Sequence, residues 1–227
     1  MNARPILFNG DMVRALLAGQ KTQTRRVAKN IHQDRMFRSG WKVESSDKKS
    51  ACSTDAPHGF LAEVCPFGKI GDLLWVRETF ISGFECDDNG MPTENERIWY
   101  RASGGLDCWY DGGSDFPKEN IPWKPSIHMP RCASRLTLRI TDVRVERLQD
   151  ITEEDAIAEG INGELCQRFL YSESTKGQLL PAAVHAFSGL WESINSAGSW
   201  NDNPWLWVIE FEVIQTNVDT VLKQEAA

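Results

Sequence analysis

Ala18-Gly19-Gln20-Lys21-Thr22-Gln23-Thr24-Arg25-Arg26 joins two periodicities within a few residues. Upstream, Met12, Val13, Leu16 and Leu17 recur at helical spacing, and Asn9 is placed to cap a helix over 10–18. Gly19 follows the last apolar residue, where a left-handed C-terminal cap is easiest. Downstream, residues 22–27 read as a strand. On it Thr22, Thr24 and Arg26 share one face and Arg25 points away. That face presents two hydroxyls and a guanidinium, with the Lys21 ammonium at its edge. The plain alternative is an exposed strand with solvated charges.

The rest of the chain frames this junction. Residues 5–8 form a short strand candidate. Residues 28–70 are polar and read as an irregular surface insertion. Gly71-Asp72 turns into a strand, Leu73-Leu74-Trp75-Val76-Arg77-Glu78, with Arg77 and Glu78 as an internal ion pair. A strand is expected at 98–101 and a long ordered cover loop at 102–130. Residues 135–148 read as a strand region whose alternation changes phase at Thr141-Asp142, the mark of a bulge or tight turn. Thr152 can cap a short acidic helix ended by Gly160. A second helix is expected over 181–195, with Phe187, Leu190, Trp191 and Ile194 on one face and Pro181 at its first position. Residues 205–214 form the last strand, and 215–227 a polar, frayed tail. Strands from both ends framing two or three helices predict an α+β class with a small mixed or barrel-like sheet.

With 227 residues, 41% hydrophobic, the chain can bury one sizeable core. No apolar run is long enough to span a membrane, and the first residues lack a secretory signal, so a cytoplasmic location and no membrane partner are expected. The six cysteines are then expected as free thiols. Cys52, His58 and Cys65 match no standard zinc spacing, and neither metal nor cofactor is expected. The net charge of −7 disfavours tight binding to long nucleic acid. Residues 1–50 nevertheless hold eleven Lys or Arg against four acids, so that segment is +7 and the remainder −14. Such a segment suits a local polar or phosphate-bearing ligand, or a solvated loop, and for 28–50 the loop is preferred.

Gly19-x-Lys21-x-x-Thr24-x-Arg26 resembles the signature of ASCH domains, a branch of the PUA-like barrel superfamily. Gly71-Asp72-Leu73-Leu74-Trp75-Val76 resembles the family's Gly-Asp-led strand, residues 151–160 (Ile-Thr-Glu-Glu-Asp-Ala-Ile-Ala-Glu-Gly) its acidic helix, and Val208-Ile209-Glu210-Phe211 its closing strand. The motifs occur in family order, and the Trp- and Pro-rich insertions resemble those of phage and prophage ASCH proteins. The resemblance implies a PUA-like mixed β-barrel with flanking helices: one domain over 1–214, with insertions at about 28–70, 102–130 and 161–180. Small amidohydrolases of this family (YqfB type) cleave acylated cytosine nucleosides, N4-acetylcytidine above all. Their catalytic set falls on Lys21, Thr24 and Glu159. They are about half as long, and the insertions bear on the substrate more than on the chemistry.

Amide cleavage needs a nucleophile, a base and charge stabilisation. Thr24 can attack or position water. Lys21 can serve as base only when neutral, and an unperturbed pKa leaves roughly one lysine in 2,500 neutral at pH 7. A pKa of about 7.5 would require about 4 kcal/mol of differential destabilisation of the charged form. Alternatively Lys21 stabilises an oxyanion and Glu159 is the base. Candidate ligand contacts are Arg26, Thr22, Trp75, Trp123, His128 and Arg131. His128, Arg131 and Arg135 are placed to meet a phosphate or base edge, unless their loop is a packed cover. Trp109 and Trp123 are candidates to stack on a base, whereas Trp191, Trp205 and Trp207 read as core. The expected ligand is a small nucleoside or RNA-derived molecule. A non-catalytic module for RNA or a modified base, and an RNA-cleaving nuclease, are the alternatives.

Overall fold

The computed structural model describes residues 1–29, 31–33, 41–44, 50–53, 65–87, 92–104, 121–169 and 173–226. It is a mixed α+β protein. In chain order the elements are β1 (Ala3–Leu7), α1 (Gly10–Leu17), β2 (Gln23–Val27), β3 (Ile31–Gln33), β4 (Trp41–Glu44), β5 (Ser50–Ser53), β6 (Leu73–Arg77), β7 (Phe80–Cys86), β8 (Pro92–Tyr100), β9 (Thr137–Arg147), α2 (Glu153–Ala158), α3 (Gly163–Arg168), α4 (Ala182–Asn195), β10 (Trp205–Ile214) and α5 (Val218–Glu225). Five strands are hydrogen-bonded in the order β1-β6-β9-β10-β2. No helix among the described residues is long and apolar enough to cross a membrane.

The chain divides into two compact units. The first comprises Met1–Asn2, Ala18–Leu73 and Arg139–Val213. In it β10 pairs antiparallel with β2, with Ile209 opposite Thr24 and Glu210 opposite Gln23. Leu206, Trp207, Val208 and Ile209 are buried in succession, so both faces of β10 are covered there. On α4, Phe187 lies 6.3 Å from Trp191 and 6.4 Å from Trp200, ring centroid to ring centroid. Ile194, expected on that face, is 53% exposed in the last turn. Pro181 is the N-cap of α4 rather than its first helical residue. Two expectations change here. The segment read as an irregular insertion contributes β3, β4 and β5, an antiparallel three-stranded sheet. Of the bulge or tight turn expected at the Thr141-Asp142 phase change, the turn is excluded, because β9 runs through it.

The second unit comprises Ala3–Leu17, Leu74–Leu138 and Ile214–Ala227. Asn9 caps α1 as expected, its Oδ1 accepting from the Met12 amide at 2.9 Å. β7 and β8 form a hairpin pairing Phe80 with Tyr100 and Phe84 with Glu96. The strand expected at 98–101 is only the end of β8, and β7 was not foreseen. Phe80, Met129 and Ala133 form one buried cluster, and Ile81 and Trp99 a second. The expected frayed tail is a helix, because Val218 and Val221 are buried one turn apart and Asn217 caps it. Asn217 Oδ1 accepts from the Asp219 amide at 2.9 Å. Its Nδ2 donates to the carbonyls of Arg131, Cys132 and Ser134 at 3.0, 3.2 and 2.7 Å. One side chain thus closes a helix end and pins the 131–134 turn. Asn217→Ala is expected to cost about 1–2 kcal/mol, read as a lower denaturation midpoint in urea.

Candidate active site: a buried lysine–glutamate pair

The site is built in the first unit, where two local structures meet. Gly19 takes the left-handed conformation (φ 69°) beyond α1, and the chain reaches Lys21 just before β2. Thr152 opens α2 with a capping box: its hydroxyl accepts from the Asp155 amide at 3.1 Å, and the Asp155 carboxylate accepts from the Thr152 amide at 3.3 Å. Glu159 is the C-cap of that helix, with Gly160 (φ 97°) behind it. Backbone bonds dock the two segments: the Thr22 amide donates to the Ala158 carbonyl at 2.9 Å, and the Phe211 amide to the Thr22 carbonyl at 2.9 Å.

This docking brings Lys21 and Glu159 together. Lys21 Nζ donates to Glu159 Oε2 at 2.6 Å and to the Glu159 carbonyl at 2.8 Å. Lys21 is 0% and Glu159 3% exposed. Burial pushes the Lys21 pKa down. The charge and hydrogen bond of Glu159 push it back up, and Arg26 and Arg25 push it down further; the net direction is downward. Burial likewise lowers the Arg26 pKa, against the pull of Glu159.

The alternation expected for β2 holds, but the face that meets Glu159 is the one carrying Arg25. Arg25, which the sequence turned away from the site, is buried and reaches Glu159 Oε1 at 3.4 Å, Asp155 Oδ2 at 3.1 Å and Glu146 Oε2 at 3.0 Å. Gln23 joins it, its Nε2 donating to Asp155 Oδ1 at 3.0 Å. Arg144 extends the network by pairing with Glu146, Asp155 and Glu210. With Gln23 and Arg25 on the α2 side, period-two alternation places Thr24 on the other side of the strand. Thr24 is buried, and among the described residues no hydrogen bond involves its hydroxyl. Thr22 is exposed. The structure therefore joins Lys21 to Glu159 directly, and leaves Thr24 in the adjoining strand without a bond to either.

The candidates Trp75, Trp123, His128 and Arg131 belong to the second unit. Trp75 is buried in β6, with Arg77 Cζ 5.4 Å from its ring centroid. Trp123 is half-buried against the Ile81–Trp99 cluster. His128 is exposed at the end of a single 3-10 turn. Arg131 pairs with Asp219 at 2.7 Å. The expected Arg77–Glu78 pair gives way to Arg135, which grips Glu78 at 2.8 and 2.9 Å while stacked 4.0 Å from the Tyr100 ring centroid. Adjacent strand residues point apart, so Arg77 could not serve. Trp205, read as core, is half-buried and carries Arg147 Cζ 3.9 Å from its ring centroid. Trp109 and His58 lie outside the described residues. No group of three His, Cys, Asp or Glu among the described residues is arranged to hold a metal. Cys65, Cys132 and Cys166 are free thiols.

A cavity of about 450 Å³ also lies in the first unit, lined by Gln20, Ile157, Ile161, Asn162 and Cys166 among others; neither Lys21 nor Glu159 lines it. Compared with family models, with curated proteins and with solved structures, the chain matches none.

Proposed function

We propose that the protein is a hydrolase of the ASCH type, with a PUA-like sheet, that cleaves the amide of an acylated cytosine nucleoside or a similar small molecule. The observation that carries the reading is the Lys21–Glu159 pair: an ammonium donor fully removed from water, held at 2.6 Å on a carboxylate from a helix 138 positions away. An isolated charge in that place would be costly, and burial that lowers the lysine pKa enlarges the neutral, proton-accepting fraction that a base requires. The Thr24 hydroxyl supports the same reading: among the described residues no hydrogen bond involves it, so it is available to a ligand or water.

In the proposed reaction an oxygen, of Thr24 or of a water it holds, adds to the acyl carbon, and its proton passes through a further water to neutral Lys21, because Thr24 faces away from the α2 side of the strand. The C–N bond breaks and Lys21 returns the proton to the leaving amine. Where Thr24 itself attacks, a water then adds to the acyl ester, the C–O bond to Thr24 breaks and the hydroxyl regains its proton; by either route one water is consumed and the products are the free acid and the exocyclic amine. Glu159 stabilises the Lys21 ammonium formed midway. The test is incubation of pure protein with a panel of acylated nucleosides, followed by chromatography. Release of the free nucleoside, lost in Lys21→Met, is expected. No release from any member would end the hydrolase reading.

The completeness of the burial favours a second reading, in which the pair is a structural tie and the chain binds RNA or a modified base without chemistry. Each phosphate neutralised on a single strand adds about 0.7 to the log–log salt slope. The hydrolase reading expects a shallow slope with labelled single-stranded RNA. Tight low-salt binding with a slope magnitude above about 3 would put the RNA-binding reading first.

A further inference from the structure

We propose that Arg25 is a positioning residue for the Lys21–Glu159 pair: it grips Glu159 Oε1 so that Oε2 stays on Lys21 Nζ. The consequence for turnover rests on the hydrolase reading; the geometry does not. Glu159 lies at the C-cap of α2, where the helix no longer fixes a side chain's direction. Its two carboxylate oxygens are divided, Oε2 to Lys21 at 2.6 Å and Oε1 to Arg25 at 3.4 Å.

Arg25 can act as a clamp because it is itself held from two elements. Glu146 on β9 takes Nη2 at 3.0 Å, and Asp155 on α2 takes the same nitrogen at 3.1 Å. Those acids are fixed in turn. Asp155 is held by Gln23 at 3.0 Å and by the capping box, and Glu146 by Arg144. A fully buried guanidinium with a planar fork can hold three carboxylates in one geometry, which a lysine ammonium cannot. The charges that face one another here are Lys21, Arg25, Arg26 and Arg144 against Glu146, Asp155, Glu159 and Glu210. Arg25 thereby contributes both a direction, for Glu159, and a positive charge that disfavours the Lys21 ammonium.

Two variants separate these contributions. Arg25→Gln removes the charge and the fork. In the folded variant the titration midpoint of Lys21, followed by NMR of 13Cε-labelled lysine and assigned with Lys21→Met, is expected to rise. The acid limb of the kcat–pH profile should rise with it, and kcat should fall ten- to hundredfold with little change in KM. Arg25→Lys keeps the charge and loses the fork, so it should leave the midpoint near the parent's and still lower kcat several-fold. This variant carries the test where Arg25→Gln does not fold. An unmoved Lys21 midpoint in folded Arg25→Gln, or parental kcat in Arg25→Lys, would overturn the proposal. If the parent hydrolyses nothing, the hydrolase reading falls and the NMR midpoint alone decides the role of Arg25.

Discussion

Glu159→Leu is expected to destabilise the protein by about 3–5 kcal/mol at pH 7, the loss typical of breaking a buried ion pair from one side. The variant leaves Lys21 fully buried without its carboxylate. Arg25 is less affected, since Glu146 and Asp155 remain. Lys21 has one escape, to fold as the neutral amine, and this sets a ceiling. With the ordinary value at 10.5, releasing the proton at pH 7 costs about 5 kcal/mol. At pH 9 the same release costs only about 2 kcal/mol. The sign follows from linkage. The depressed pKa means that the unfolded chain binds the proton more tightly, so the stability lost through Lys21 is regained as pH rises toward 10.5. The deficit of Glu159→Leu should therefore shrink between pH 7 and pH 9, measured by urea denaturation at each pH. The double variant Lys21→Met with Glu159→Leu should recover most of the loss, because an apolar pair needs no compensation. A Glu159→Leu variant within 1 kcal/mol of the parent at pH 7, on the error scale of such extrapolations, would mean that the pair is not closed in solution.

The parts of this arrangement legible in the sequence are those set by neighbours in the chain. Asn9 before an apolar helical stripe, Gly19 after it, and Thr152 three residues before Asp155 are local signals, and each does locally what its pattern predicts. The meeting of Lys21 with Glu159 was legible only through resemblance, since no periodicity links positions 138 apart. Arg25 was misread for a physical reason. Alternation sets Arg25 apart from Thr24 and Arg26 but does not say which face meets the acidic helix, and a buried face can be ionic when its countercharges arrive from elsewhere, here Glu146 and Asp155. Arg144 and Glu146, two apart on one strand, carried a signal of such a face. The helix at 218–225 was missed because two buried valines are too few to register as a stripe. Its cap residue, Asn217, was the readable part.

Thr24→Val is expected to lower turnover on the order of 10²–10⁴-fold, the range typical when a positioned proton-transfer partner is lost, while leaving the fold intact. The small effect on stability follows from the environment. Thr24 is buried opposite Ile209 on β10, and its hydroxyl takes part in no hydrogen bond among the described residues, so a methyl in its place sacrifices none of them. Valine also suits a strand at least as well as threonine. The large effect on turnover follows from the chemistry, because without that oxygen neither direct attack nor the holding of a water remains. The two proposed functions therefore diverge at this residue. For a binding module the hydroxyl contributes one hydrogen bond to the ligand, worth roughly 0.5–1.5 kcal/mol, and affinity falls by no more than about tenfold. For the hydrolase the KM changes little and kcat collapses. The measurement is a pair of assays on one preparation: the Kd for a nucleoside by calorimetry, and the release rate from its acylated form by chromatography. Unchanged release would remove Thr24 from the mechanism and leave Lys21, Glu159 and water to carry it, on the α2 side of the strand where Arg25 already lies.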